Sequence, residues 1–227
     1  ETVRNMSENS IIPKEARGLK VFTLYGTTEL PYYGTVSIPE EYAFDDPGTP
    51  LYTFPVISDT HTEYLPDKDF YSTYNWPLTR ALTDIKKLCP AANGVFVNGD
   101  VTNNGFETEY QQFQTILTNV YGSGNEPQVF VSNGNHDAWG TSPANAQKVF
   151  IKYAGSLQTK VSVDKVYYDY WLGTDYHFIF LGDEETSSDF SVNKGLNAII
   201  SDAQFTFLDN KLKESRSKGA RTFILLH

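Results

Sequence analysis

QVFVSNGNHD, residues 128–137, sets a short apolar run directly against an amide, an imidazole and a carboxylate. The run is β-branched and aromatic and reads as a strand; Gly134 then opens a polar turn carrying Asn135, His136 and Asp137. His136 is one of only four histidines in the chain, with His61, His177 and His227. On its own the stretch has two readings, a turn that happens to be polar or part of a metal site.

Three other segments repeat the pattern. VISDTH (56–61) ends a short run on Asp59 and His61, VFVNGDVTNNG (95–105) follows its run with Asp100, and TFILLH (222–227) ends on His227. Singly, each has a bland explanation, since an Asp after a strand is often only a turn former. Together, in this order and each at a strand end, they favour the metal reading. Ligands of open α/β sheets gather beyond the carboxyl ends of the strands, so the four loops are expected to converge on one edge. Carboxylate, amide and imidazole donors brought together suit a divalent transition metal.

The segments between these runs are helical in period. WPLTRALTDIKKLC (76–89) places Leu78, Ala81, Leu82, Ile85 and Leu88 on one face, with Asn75 as its cap and Pro77 in its first turn. ETEYQQFQTILTNVY (107–121) aligns Tyr110, Phe113, Leu117 and Val120, and PANAQKVFIKYAG (143–155) reads as a further helix. VYYDYWL and YHFIFLG flank Gly173-Thr174-Asp175 as a hairpin. Ser201 and Gln204 form a capping box that opens a helix with Phe205, Leu208 and Leu212 towards the core. Strands alternating with helices argue for a layered α/β fold with a largely parallel first sheet. Residues 1–50 read differently, as a small β-rich appendage or linker whose short runs are broken by Pro31, Pro39, Pro47 and Pro50.

At 227 residues the chain can bury a sizeable core, and no apolar run approaches the ~20 residues that span a bilayer. No signal peptide is visible at its start. With 28 acidic and 18 basic residues the net charge is -10, which disfavours a general nucleic-acid-binding role. The single cysteine, Cys89, excludes an intrachain disulfide framework and a cysteine-based zinc cluster, and reads as a small hydrophobe on a helix face. Richness in Tyr, Asn, Ser and Thr leans towards an extracellular or cell-surface setting.

DTH, GDVTNNG, GNHD and a strand ending in His together resemble the calcineurin-like metallophosphoesterase superfamily. That group includes purple acid phosphatases, class III cyclic nucleotide phosphodiesterases, nucleotidases and repair nucleases. The resemblance covers residues 51–227 and implies an α-β-β-α sandwich performing metal-dependent phosphoester hydrolysis on a small phosphoester substrate. It further implies two divalent ions (Mn, Fe or Zn), with Asp59 and His61 on the first, Asp100 bridging both, and Asn135 and His227 on the second. His136 would serve the leaving oxygen, and Asp137 is a candidate to orient its imidazole. Phosphodiesterase or nuclease activity, or a non-catalytic binding module on the same fold, are the alternatives.

Two departures from the family pattern stand out. Leu181-Gly182-Asp183 occupies a place where Leu-Asp is more usual. No Gly-His-x-His loop follows, so the chain is expected to be truncated, short of one imidazole per metal and of the second sheet's closing strands. His177, inside a strand run, reads as a packed residue and not as a substitute ligand. A terminal His227 with little to fix its rotamer would then leave at most one ion, on Asp59, His61 and Asp100, and little activity. The aromatic segment TEYLPDKDFYSTYNW (62–76) and Trp139 are candidates to wall a substrate pocket, although a loop packing its own aromatics is the simpler reading.

Overall fold

The computed structural model describes residues 51–65, 75–140, 142–184 and 199–227. The appendage read over residues 1–50 and the central part of the aromatic segment, 66–74, lie outside the described residues. In chain order the elements are β1 (Val56–Ile57), α1 (Asn75–Leu88), β2 (Val95–Asn98), α2 (Glu107–Tyr121), β3 (Val129–Ser132), α3 (Pro143–Ser156), β4 (Tyr168–Leu172), β5 (Tyr176–Phe180), α4 (Asp202–Lys218) and β6 (Arg221–Leu225). They form two three-stranded sheets, ordered β1-β2-β3 and β4-β5-β6. The first is parallel throughout, with Phe96 opposite Val56 and Phe130 opposite Phe96. The second pairs β4 and β5 as the expected hairpin, and β6 joins β5 in parallel.

Side-chain alternation builds the layers. On β2 and β3 the valines Val95, Val97, Val129 and Val131 pack with Leu82, Ile85, Phe113, Ile116 and Phe150 of the three helices. Phe96 and Phe130, on the opposite face of the same strands, stack with Phe178 and Phe180 of β5 and with Tyr170 of β4. Ring centroids in this seam lie 4.3–6.1 Å apart, close to the separations of favourable aromatic pairs. On β5, His177 points the other way and meets Ser215 of α4. The order helix, sheet, sheet, helix is the expected α-β-β-α sandwich. Each fully buried Phe or Val contributes about 1.5–3 kcal/mol relative to exposure, so the aromatic seam dominates the cohesion of the two sheets and the valine layer that of the first sheet with its helices.

Several local expectations change. Leu88 is 47% exposed and Cys89 is half-buried just beyond the end of α1, because the core-facing stripe of that helix ends at Ile85. On α4 it is Gln204, Leu208, Lys211 and Ser215 that face the sheet, while Phe205 and Leu212 are 55% and 39% exposed. The stripe is rotated by the hydrogen-bonding needs of Gln204. Its amide oxygen accepts from the Gly182 N–H at 2.8 Å and its amide nitrogen donates to the Gly182 carbonyl at 3.0 Å, closing the end of β5 as a strand would. Ser201 caps the helix alone, accepting from the Gln204 N–H. His177 is a packed residue, bonded to Ser215 Oγ (2.6 Å) and Asp169 Oδ2 (2.9 Å), with Trp171 stacked on it. Among the described residues no helix is long and apolar enough to cross a membrane.

Candidate metal centre

All four strand-end loops meet at one edge. The β1 and β2 loops are laced by backbone bonds: Asp59 N–H to Gly99 O, His61 N–H to Asp100 O, and Thr62 N–H to Val101 O. That lacing holds Asp59, His61 and Asp100 at φ of 54°, 41° and 48°, the only non-glycine residues in the left-handed region among the described residues. Such conformations cost about 1–3 kcal/mol each and persist only where the surroundings enforce them. Here they turn three donor side chains towards one point.

The buried Asp100 carboxylate is the hub. Its Oδ1 accepts from the His136 backbone N–H at 2.9 Å, while Oδ2 lies 3.1 Å from His227 Nε2 and 3.7 Å from His61 Nε2. Asp59 Oδ1 is 3.7 Å from His227 Nε2 and 3.8 Å from His61 Nε2. Donor atoms of Asp59, Asp100 and His227 lie within 4.8 Å of one another, and so do those of His61, Asp100 and His136. The two groups share Asp100. Placing His136 beside His61 and Asp100 differs from the partition expected from sequence, as does drawing Asp59 towards His227. Asn135 is half-buried on the same turn, immediately before His136.

Two imidazoles are held by carbonyls. His136 Nδ1 sits 2.7 Å from Asn103 O, and His227 Nδ1 sits 3.1 Å from Asn98 O. A carbonyl only accepts, so Nδ1 carries the proton in each ring and Nε2 is left with its lone pair facing the cluster. The terminal His227 is therefore anchored, contrary to the expectation that little fixes its rotamer. Trp139 stacks on His136 with ring centroids 3.8 Å apart.

Asp137 takes a different part from the one expected. It is fully buried and accepts five hydrogen bonds, from Thr102 N–H, Thr102 Oγ and Tyr110 OH at Oδ1, and from Val101 N–H and Gly134 N–H at Oδ2. The contact that orients the His136 ring belongs to Asn103 instead. Asp137 braces the Asp100 loop against the 133–137 turn. Burial pushes its carboxyl above the usual range, opposed by the Gly134 and Thr102 donors. Three of the five donors are backbone N–H groups, which can only donate and so favour the ionised form. Glu109 stitches the same loop from the first turn of α2, accepting from Asn104 and Phe106 N–H groups.

Close approach explains two glycines. A Cβ at Gly134 would stand 2.2 Å from Asp100 Oδ1, and one at Gly182 would stand 2.4 Å from Val166 O and 2.8 Å from Asn133 Cβ. The second case accounts for the Leu181-Gly182-Asp183 departure: the strand end passes against the 133–137 turn, where Asn133 Nδ2 donates to Asp183 O at 2.6 Å.

The donor set fits a metal. Two carboxylates converge on the Nε2 atoms of His61 and His227, and among the described residues no Lys or Arg pairs with Asp59 or Asp100. A cation is the group that relieves this charge. An α-β-β-α sandwich with a carboxylate–imidazole cluster at the edge of its parallel sheet defines the class of protein. The chain belongs to the calcineurin-like phosphoesterase family, whose model matches residues 52–227. Among solved structures it is similar to a dimetal phosphatase from Danio rerio, at 14% identity and a TM-score of 0.54, covering 79% of this chain and 70% of that one. It is also similar to a purple acid phosphatase from yellow lupin (Lupinus luteus) seeds, at 17% identity and a TM-score of 0.47, covering 77% of this chain and 30% of that one. No curated protein matches the sequence.

Proposed function

We propose that the chain is a metal-dependent phosphoester hydrolase with a two-cation site, acting on a small phosphoester. The observation that carries this reading is the sharing of Asp100 between two donor groups. By resemblance to the family, Asp59, His61 and Asp100 would hold one cation and Asp100, Asn135 and His227 the other, although the donors that lie together are Asp59 with Asp100 and His227, and His61 with Asp100 and His136. Each cation then has three protein donors, the number found in open catalytic sites. Mixed carboxylate, amide and imidazole ligation suits Mn, Fe or Zn. Divalent cations in such a site activate water and neutralise charge on phosphoryl oxygens.

The chain's own groups supply the rest. Asn103 fixes the His136 ring through Nδ1, which leaves Nε2 facing the donor cluster. As imidazolium, His136 gives the Nε2 proton to the departing oxygen and the ester leaves as an alcohol. Trp139, stacked on that ring, limits its rotation. Removing one general acid costs about 10²–10⁴ in rate. Elemental analysis of metal content and hydrolysis of a phosphoester panel test the assignment together. Asn135→Ala is expected to lose metal. His136→Ala is expected to keep its metal and lose turnover, most with poor leaving groups. Equal metal loss in both variants contradicts the roles.

A further inference from the structure

Asn98 ends β2, two residues before Asp100, and makes three contacts across the molecule. Its side-chain Nδ2 donates to the Leu226 carbonyl at 3.1 Å, its Oδ1 accepts from Ser132 Oγ at 3.1 Å, and its backbone carbonyl faces His227 Nδ1 at 3.1 Å. One residue therefore holds the polypeptide on the N-terminal side of His227 and, separately, the ring itself. The Leu226 carbonyl fixes which end of the amide points where, since it only accepts and so must face Nδ2, leaving Oδ1 for the Ser132 hydroxyl. Gly99 completes the seat. A Cβ there would stand 2.2 Å from His227 Cβ and 2.5 Å from Cγ, so the ring packs flush on bare backbone.

We infer that Asn98 is a positioning residue for His227: it selects the tautomer with the proton on Nδ1 and aims Nε2 at Asp100 and Asp59. The side chain matters because β2 belongs to the first sheet and β6 to the second. Leu226 itself is 42% exposed, and the bond from Asn98 Nδ2 ties its carbonyl to the end of β2. Without the Nδ2 bond to Leu226 O, the carbonyl of Asn98 stays where it is, but the ring it must meet is free to drift. Hydrogen bonds of this kind to ligating imidazoles set ring orientation, and losing one typically costs 10–100-fold in metal affinity.

The metal part of the inference rests on the phosphoesterase reading, and the tautomer part does not. The test uses the 227-residue chain. Long-range ¹H–¹⁵N spectra of the metal-free protein, at a pH where imidazole is neutral, read the His227 tautomer, and titration with Zn²⁺ or Mn²⁺ reads affinity. Asn98→Asp keeps the size and the acceptor for Ser132 but turns the donor towards Leu226 O into an acceptor. It is expected to give a mixture of His227 tautomers and ~10–100-fold weaker metal binding. Ser132→Ala, which removes only the hydroxyl that the Asn98 amide oxygen accepts from, is expected to shift both readouts the same way by less. Val149→Ala, a core truncation on α3, is expected to lower stability with the His227 pattern unchanged. An unaltered His227 pattern and affinity in Asn98→Asp overturn the inference, as does an equal shift in Val149→Ala. If the unmodified chain binds no metal while Asn98→Asp still scrambles the tautomer, the positioning role stands and the phosphoesterase reading falls.

Discussion

Replacing Asp137 by asparagine keeps its volume and removes its charge, and the consequence can be worked from its five donors. If the new NH₂ takes the place of Oδ2, the Val101 and Gly134 N–H groups both lose their acceptor. If it takes the place of Oδ1, the Tyr110 and Thr102 hydroxyls can turn to accept, and only the Thr102 N–H is orphaned. The second arrangement is the less costly. One orphaned buried donor costs about 1–3 kcal/mol, and each of the two surviving bonds loses roughly 1 kcal/mol of ionic strengthening. Relief from burying a charge returns part of this, leaving a net loss of about 3 kcal/mol. For a domain of this size that lowers Tm by about 6–12 °C. Urea unfolding followed by circular dichroism should show a lower midpoint at unchanged m. A loss below about 1 kcal/mol would refute the reasoning, because it would mean that the carboxyl is already neutral in the fold or that its donors have other partners.

Three further outcomes follow from the same geometry. Gly134→Ala drives a methyl against Asp100 Oδ1, and is expected to lose about 1–3 kcal/mol and much of the metal affinity, measured by unfolding and by titration. His177→Phe strips a buried ring of its bonds to Ser215 and Asp169, and is expected to lose about 1–3 kcal/mol with metal content unchanged by elemental analysis. Chelation by EDTA is expected to lower Tm by about 5–11 °C from a state loaded at 100 times Kd, where binding adds about 2.7 kcal/mol; a Tm indifferent to chelator would count against a metal site.

Much of this site is legible in the residues because four strand ends in succession carry donors, a coincidence that turn formation does not explain. Asp59, His61, Asp100, His136 and His227 were marked by following β-type runs, and the structure gathers them. Asn98 and Asn103 carried no such mark, since each acts on an imidazole through its backbone carbonyl, a group every residue possesses. Asp137 was misread for a related reason: a carboxylate beside a histidine suggests a pair, and only the fold reveals five donors converging on it from elsewhere. The helix stripe of α4 failed because Gln204, counted as a capping residue, spends its amide on Gly182 and turns Phe205 outward.

The left-handed backbone at Asp59, His61 and Asp100 has a consequence for laboratory evolution of this chain. Glycine at any of the three would relax a conformation that costs about 1–3 kcal/mol, partly offset by the greater freedom glycine has when unfolded. A selection that rewards heat resistance and never asks for chemistry would therefore drift towards erasing donors, one strand-end loop at a time. Survivors of such a selection, sequenced without an activity screen, would record which of the three positions the fold tolerates least.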